Sequence, residues 1–139
     1  MKVISKELVE SSKISSDLMK NEIQVLEGIC HPNIVRLFEI LEDDNNYYIV
    51  SELMKYGELY DYARKRNKPN SDEGWIEEEG IQIIAQEILL ALNFMHLQNL
   101  AHRDLKPQNI MMEDLETLEI KLTDFGFASA VDTNHKLNQ

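Results

Sequence analysis

HRDLKPQN at His102–Asn109, followed by DFG at Asp124–Gly126, decides how this chain is read. Asp104, Lys106 and Asn109 fall on one short loop, and Pro107, which lacks an amide donor, keeps that loop from running on as a helix. Leu118–Leu122 has strand character and delivers Asp124 at its end, while Gly126 offers backbone angles that a side chain would forbid. Carboxylates, an amide and a lysine are thus presented on two loops, each entered from a short strand.

Around this core, Leu100–Ala101 and Ile110–Met112 read as short strands, and upstream of it Ile76–Leu97 gives the longest helical signal. Ile81, Ile84, Ile88, Leu92 and Met95 step at helix spacing, and Glu77–Glu79 suit the positive end of the helix dipole. Asn67–Gly74 has loop composition, and Trp75 and Ile76 are expected to pack at the helix start. Glu58–Arg66 reads as a short helix after the break at Gly57. Tyr47–Leu53 and Ile34–Leu41 read as strands separated by the turn-forming Glu42–Asn46. Near the start, Lys2–Ile4 favours strand and Leu8–Ile29 favours an amphipathic helix that His31-Pro32-Asn33 must end. Strands and one helix come first and mostly helix follows, a segregation that predicts an α+β protein with two lobes meeting near Glu52–Gly57.

With 139 residues and 43% hydrophobic content, the chain is long enough for one domain with a real core. A formal charge of −11 argues against nucleic acid or an anionic membrane surface as the principal partner; it is compatible with basic substrates, though an acidic surface more often only keeps a protein soluble. Cys30 is the only cysteine, which excludes an intrachain disulfide and a cysteine-rich metal framework, and the four histidines lack metal-ligand spacing. No run is expected to approach the roughly 18 to 20 apolar residues of a membrane span, and the opening MKVISKELVESSK lacks the apolar core of a signal peptide. The expectation is an intracellular, cytoplasmic protein.

Transfer of the γ-phosphoryl group of ATP needs metal ions on the phosphates, a group to receive the hydroxyl proton, and a cation on the transferring oxygens. Asp104 is the candidate to accept from the hydroxyl, Lys106 to stabilise the moving phosphoryl group, and Asn109 and Asp124 to offer hard oxygens to Mg²⁺.

HRDLKPQN followed by LTDFGFA resembles the catalytic loop and metal-binding loop of eukaryotic protein kinases, and Lys106 resembles the Ser/Thr-specific branch. The resemblance extends over nearly the whole chain. NEIQVLEGICHPNIVRLFEILED is similar to the regulatory helix and next strand of a kinase small lobe, which implies that Glu22 pairs with Lys2 as the ATP-binding lysine. YYIVSELMKYGELYDY is similar to the strand and hinge between lobes. The match implies Ser51 as a small gatekeeper, the Glu52–Met54 backbone as the adenine reader, and Glu58 as a ribose or basic-substrate contact. It implies that Met111, beside Leu59, floors the adenine site, and that Leu26, Leu37, His102 and Phe125 stack between the helix and both loops. The lobe-linking sequence and HPNIV look most like the calcium/calmodulin-dependent and calcium-dependent kinases.

By this resemblance the fold is a two-lobed kinase fold, incomplete at both ends: residues 1–53 belong to the small lobe, 54–57 to the hinge, and 58–139 to the large lobe through DFG. The glycine-rich loop that should precede Lys2 is absent, and the sequence stops 13 residues past Gly126, before any Ala-Pro-Glu motif. Tyr56 stands where many relatives have glycine, and apolar residues on more than one side of Ile76–Leu97 leave side chains unpartnered, each forfeiting roughly 1.5–3 kcal/mol. The expected function is ATP- and Mg²⁺-dependent phosphorylation of protein Ser/Thr hydroxyls, with little activity from this polypeptide alone. The alternative is a non-catalytic kinase-like module that binds nucleotide or a partner.

Overall fold

The computed structural model describes residues 1–66 and 76–131; the expected loop Asn67–Gly74 and Trp75 lie outside the described residues. Strands β1 (Lys2–Ser5), β2 (Leu37–Glu42) and β3 (Asn46–Ser51) form an antiparallel sheet in the order β1-β3-β2. The turn between β2 and β3 is closed by Asp43, whose Oδ1 accepts from the amides of Asn45 and Asn46 at 2.8 and 2.7 Å, an Asx turn of the kind the sequence implied. Helices α1 (Lys6–Ser11) and α2 (Lys13–Gly28) lie on this sheet, with Val9, Met19 and Ile49 buried between them.

The single helix expected over Leu8–Ile29 is therefore two. Ser12 is extended at φ −138° and ψ 115°, and its hydroxyl accepts from the Ser15 amide at 3.4 Å. A serine satisfying an otherwise orphaned amide is a helix N-cap, so apolar periodicity runs through a break that local hydrogen bonding creates.

The first strand after the proline also begins later than expected. Ile34 leaves the sheet to bridge Leu122, and the ladder starts at Leu37. Two backbone bonds explain the displacement: Val35 N–H donates to the Leu122 carbonyl at 3.0 Å, and Leu122 N–H donates to the Asn33 carbonyl at 2.9 Å. The buried Asn33 amide adds a bond to the Ile120 carbonyl at 3.2 Å. The segment around His31–Arg36 is thereby stitched to the hairpin of β5 (Ile110–Met112) and β6 (Ile120–Leu122).

Helices α3 (Leu59–Arg66) and α4 (Glu78–Leu97) occupy the other side of the chain. The main core joins both sides, since Val25 and Leu26 of α2 share one cluster with Ile34, Ile84, Ala91 and Met95, the β5–β6 hairpin and Phe125. β4 (Leu100–Ala101) pairs with β7 (Ser129–Ala130), a strand the sequence reading did not anticipate. Gly57 sits at φ +76°, a left-handed conformation in which glycine carries no side-chain penalty.

By length and composition alone α4 is long and apolar enough to cross a membrane, with a mean hydropathy of 1.3, though core helices share these features and in α4 Glu78, Glu79 and Glu87 interrupt the apolar run. Its inner face packs Ile84, Ala91 and Met95 into the core, and Glu87 accepts from the Ile120 amide at 2.7 Å. Leu89, Leu90 and Leu97 are exposed on other sides, as the sequence pattern implied, and Ile81, expected on the stripe with Ile84 and Met95, is exposed as well.

Replacing Asn33 strips the Ile120 carbonyl of a buried partner, a loss on the order of 1–3 kcal/mol. Asn33→Ala should lower the urea midpoint accordingly, and an unchanged midpoint would show that the stitch does not hold the two sides together.

Candidate active site

The loop His102–Asn109 is built around a buried histidine. The Asp104 amide donates to His102 Nδ1 at 3.3 Å, so the ring proton sits on Nε2, which faces the Thr123 carbonyl at 3.1 Å. Burial pushes the imidazole below its ordinary range, and the Thr123 bond opposes that only partly. The neutral ring also packs on Phe125 with centroids 4.9 Å apart. His102 is a structural link between the two loops, as its place in the expected stack implies, and Leu26 and Phe125 lie in the same core cluster with Leu37 packed against it.

Arg103 and Asp124 adopt φ +63° and +62°. For residues with a side chain this left-handed region costs on the order of 1–3 kcal/mol and persists only where neighbours enforce it. The sequence reading placed the permissive backbone at Gly126; the structure moves it to Asp124. A Cβ at Gly126 would meet only ordinary contacts, 3.5 Å from Asp124 Oδ1 and 3.6 Å from Leu18 Cβ.

Asp104 is held from two sides. Lys106 Nζ donates to its Oδ2 at 2.6 Å and Asn109 Nδ2 donates to the same oxygen at 2.8 Å. The Lys106 ammonium, more than Asn109, holds the carboxyl below the usual carboxylate range, and the carboxylate in turn raises Lys106. Pro107 opens a 3-10 turn over Pro107–Asn109, which brings the Asn109 amide back beneath Asp104. The Asn109 carbonyl accepts from Thr123 N and Oγ1 at 2.9 and 3.2 Å, so Asn109 and Asp124 are anchored through adjacent residues.

A cleft of about 390 Å³ opens between the sheet and the β5–β6 hairpin, lined among others by Lys2, Glu22, Ser51, Glu52, Met54, Met111 and Asp124. Lys2 Nζ and Glu22 Oε2 are 2.6 Å apart, with the lysine half exposed and the glutamate buried. Glu52 lines the cleft, and its carboxylate is engaged by other groups of the chain. The Glu52 carboxylate accepts from the Arg36 amide at 3.2 Å and pairs with Lys121 at 3.2 Å. Glu58 does not line the cleft; its backbone bridges Met111.

With its Nδ2 committed to Asp104, the Asn109 side chain keeps its amide oxygen for another partner, and Asp124 supplies a carboxylate. Among the described residues no cluster of three or more His, Cys, Asp or Glu is placed to hold a metal. Two hard oxygens fit Mg²⁺, which retains water and takes phosphate oxygens rather than a full protein cage.

The fold and this cleft are those of the protein kinase domain class. The protein kinase domain family matches residues 1–139, and the chain belongs to that family. It is 36% identical to calcium-dependent protein kinase 4 of Plasmodium berghei (strain Anka), over 99% of this chain and 25% of the relative. It is 38% identical to calcium-dependent protein kinase 5 of Plasmodium falciparum (isolate 3D7), over 94% and 22%. Serine/threonine-protein kinase ULK3 of Rattus norvegicus is 36% identical, over 91% of this chain and 26% of the relative. The chain spans about a quarter of the length of these relatives.

Sequence reading missed Asn33, Thr123 and Lys121 as anchors. Lys121 ties Glu52 to the Pro32 carbonyl, which its Nζ reaches at 2.7 Å. The HPN run pointed to the first of these, but only as a helix stop.

The buried ring of His102 makes stability depend on pH. An unfolded histidine protonates near pH ~6.5, whereas His102 and His31, both lowered chiefly by burial, resist until the pH is lower. Their stabilisation is full above that value and is lost as pH falls toward the folded one. The melting temperature should drop between about pH 7.5 and about pH 5.5, and His102→Gln should flatten the slope. A slope unaffected by the substitution contradicts this account.

Proposed function

We propose that these residues form the nucleotide-binding and catalytic centre of an ATP-dependent Ser/Thr protein kinase, which phosphorylates hydroxyls of protein substrates. The observation that carries the reading is the meeting of Lys2, Glu22 and Asp124, remote in sequence, on one cleft beside the Asp104 loop. In this reading residues 1–53 belong to the small lobe, 54–57 form the hinge and 58–139 belong to the large lobe.

Adenine is read by the backbone of Glu52 and Met54. The Glu52 amide already donates to the Arg36 carbonyl at 2.9 Å, which leaves its own carbonyl for the base. Met111 lies under the ring, and Glu58 is assigned to the ribose edge or a basic substrate residue. Lys2, oriented by Glu22, neutralises phosphate oxygens. Asn109 and Asp124 would hold Mg²⁺, which would supply positive charge to neutralise the phosphates. Both donors to Asp104 sit on Oδ2, so Oδ1 is the atom left to accept the substrate hydroxyl. Lys106, at the same carboxylate, reaches toward the transferring oxygens. The chain's charge of −11 favours a basic protein substrate, and an intracellular, cytoplasmic setting suits ATP-dependent chemistry.

ATP at about 100-fold above its dissociation constant stabilises a protein by ~2.7 kcal/mol, which raises the melting temperature by several degrees. Mg-ATP should produce that shift, and Asp124→Asn should remove its Mg²⁺-dependent component. Asp104→Ala should keep nucleotide binding while lowering transfer to a basic serine peptide by about 100-fold or more. Mg-ATP binding with no transfer in the wild type favours the non-catalytic module, and no Mg-ATP response rejects the reading.

A further inference from the structure

Asn21 precedes Glu22 on α2 and has no role in the chemistry described so far. Its Nδ2 lies 3.1 Å from the Phe125 carbonyl, 2.9 Å from that of Gly126 and 2.6 Å from that of Ala128. Three carbonyls converging on one point repel one another unless a donor sits between them. The half-buried Asn21 amide supplies two N–H groups there, and the carbonyls dictate which way it faces.

The same loop is gripped from the opposite side by His102, through the Thr123 carbonyl and the Phe125 ring. Between these two grips lies Asp124 in its left-handed conformation, which needs neighbours on both sides to persist. Leu18, one turn before Asn21, brings its Cβ within 3.6 Å of where a Gly126 side chain would begin, so one face of α2 lies along the loop.

We infer that Asn21 is a positioning residue that ties α2 to the backbone of Phe125–Ala128 and so fixes where Asp124 points. Because Glu22 is the next residue, the helix position that completes the Lys2–Glu22 pair is the one that sets Asp124. The inference deepens the kinase reading and rests on it for the role of Asp124.

The test compares the wild-type chain with Asn21→Leu, which removes the donor at similar size, and Asn21→Asp, which keeps the shape and reverses the polarity. Amide exchange at Ala128, whose N–H donates to the Phe125 carbonyl at 3.0 Å, reports loop order without nucleotide. Titrating MgCl₂ at fixed ATP while following the melting temperature reports the aim of Asp124. Both variants should speed Ala128 exchange and raise the Mg²⁺ midpoint by about five-fold, the size of one lost hydrogen bond, with Asn21→Asp the more affected. ATP affinity in EDTA should stay within about two-fold, a split that general loosening would not produce. Unchanged exchange and an unchanged Mg²⁺ midpoint in either folded variant overturn the inference. A wild-type chain blind to Mg-ATP rejects the kinase reading instead, while faster Ala128 exchange in the variants still supports the tie.

Discussion

Everything that spans the cleft depends on the short parallel contact in which the Val35 N–H donates to the Leu122 carbonyl and the Leu122 N–H donates to that of Asn33. Lys2 and Glu22 belong to the sheet side, and Asp104, Asn109 and Asp124 to the helical side. Without a fixed joint the two sets would have no defined separation, and orientation is most of what a protein contributes to phosphoryl transfer. Backbone bonds suit this task because their geometry is nearly independent of side-chain rotamers. Leu122 and Ile34 are buried around them, which keeps water from competing for the same groups.

A second constraint is the strain at Asp124. The core supplies the means to hold it: Phe125 is wholly buried, and the neutral His102 donates to the residue just before Asp124. A charged imidazole at that depth would require desolvating a cation, so the hydrogen-bond pattern and the burial select the same protonation state. The apolar core and the polar loops are thus one construction, with Phe125 in the first and its carbonyl held by Asn21 in the second.

Much of this was legible in the sequence because its signals are local. The short strands Leu100–Ala101 and Ile110–Met112 came out at their true bounds, and the long helix within two residues of its start. Glu22 and Lys2 were paired through likeness to a family, and they lie in contact. The errors have physical causes. Ser12 breaks a helix through one hydroxyl bond that apolar spacing does not register. β7 has two residues and exists only through pairing with β4. Glycine marks permission for a left-handed backbone, not its use, and here Asp124 adopts that conformation while Gly126 does not. Asn21 bonds residues more than a hundred positions away, a relation no periodicity carries.

The arrangement at Asp104 also bears on what kind of proton acceptor it would be in the proposed reaction. A carboxylate that receives both Lys106 and Asn109 on one oxygen is a weaker base than a free aspartate, since each donor favours the ionised form. Such a group is poorly suited to strip a proton from a serine hydroxyl before the phosphoryl group arrives. It is well suited to orient that hydroxyl through its remaining oxygen, and to receive the proton once bonding to phosphorus has made the hydroxyl acidic. In a loose transition state little nucleophilic activation is needed, so alignment is the larger contribution. Under the proposed reading Lys106 would serve both ends of that step: it holds Asp104 in place, and it would keep a positive charge for the transferring oxygens.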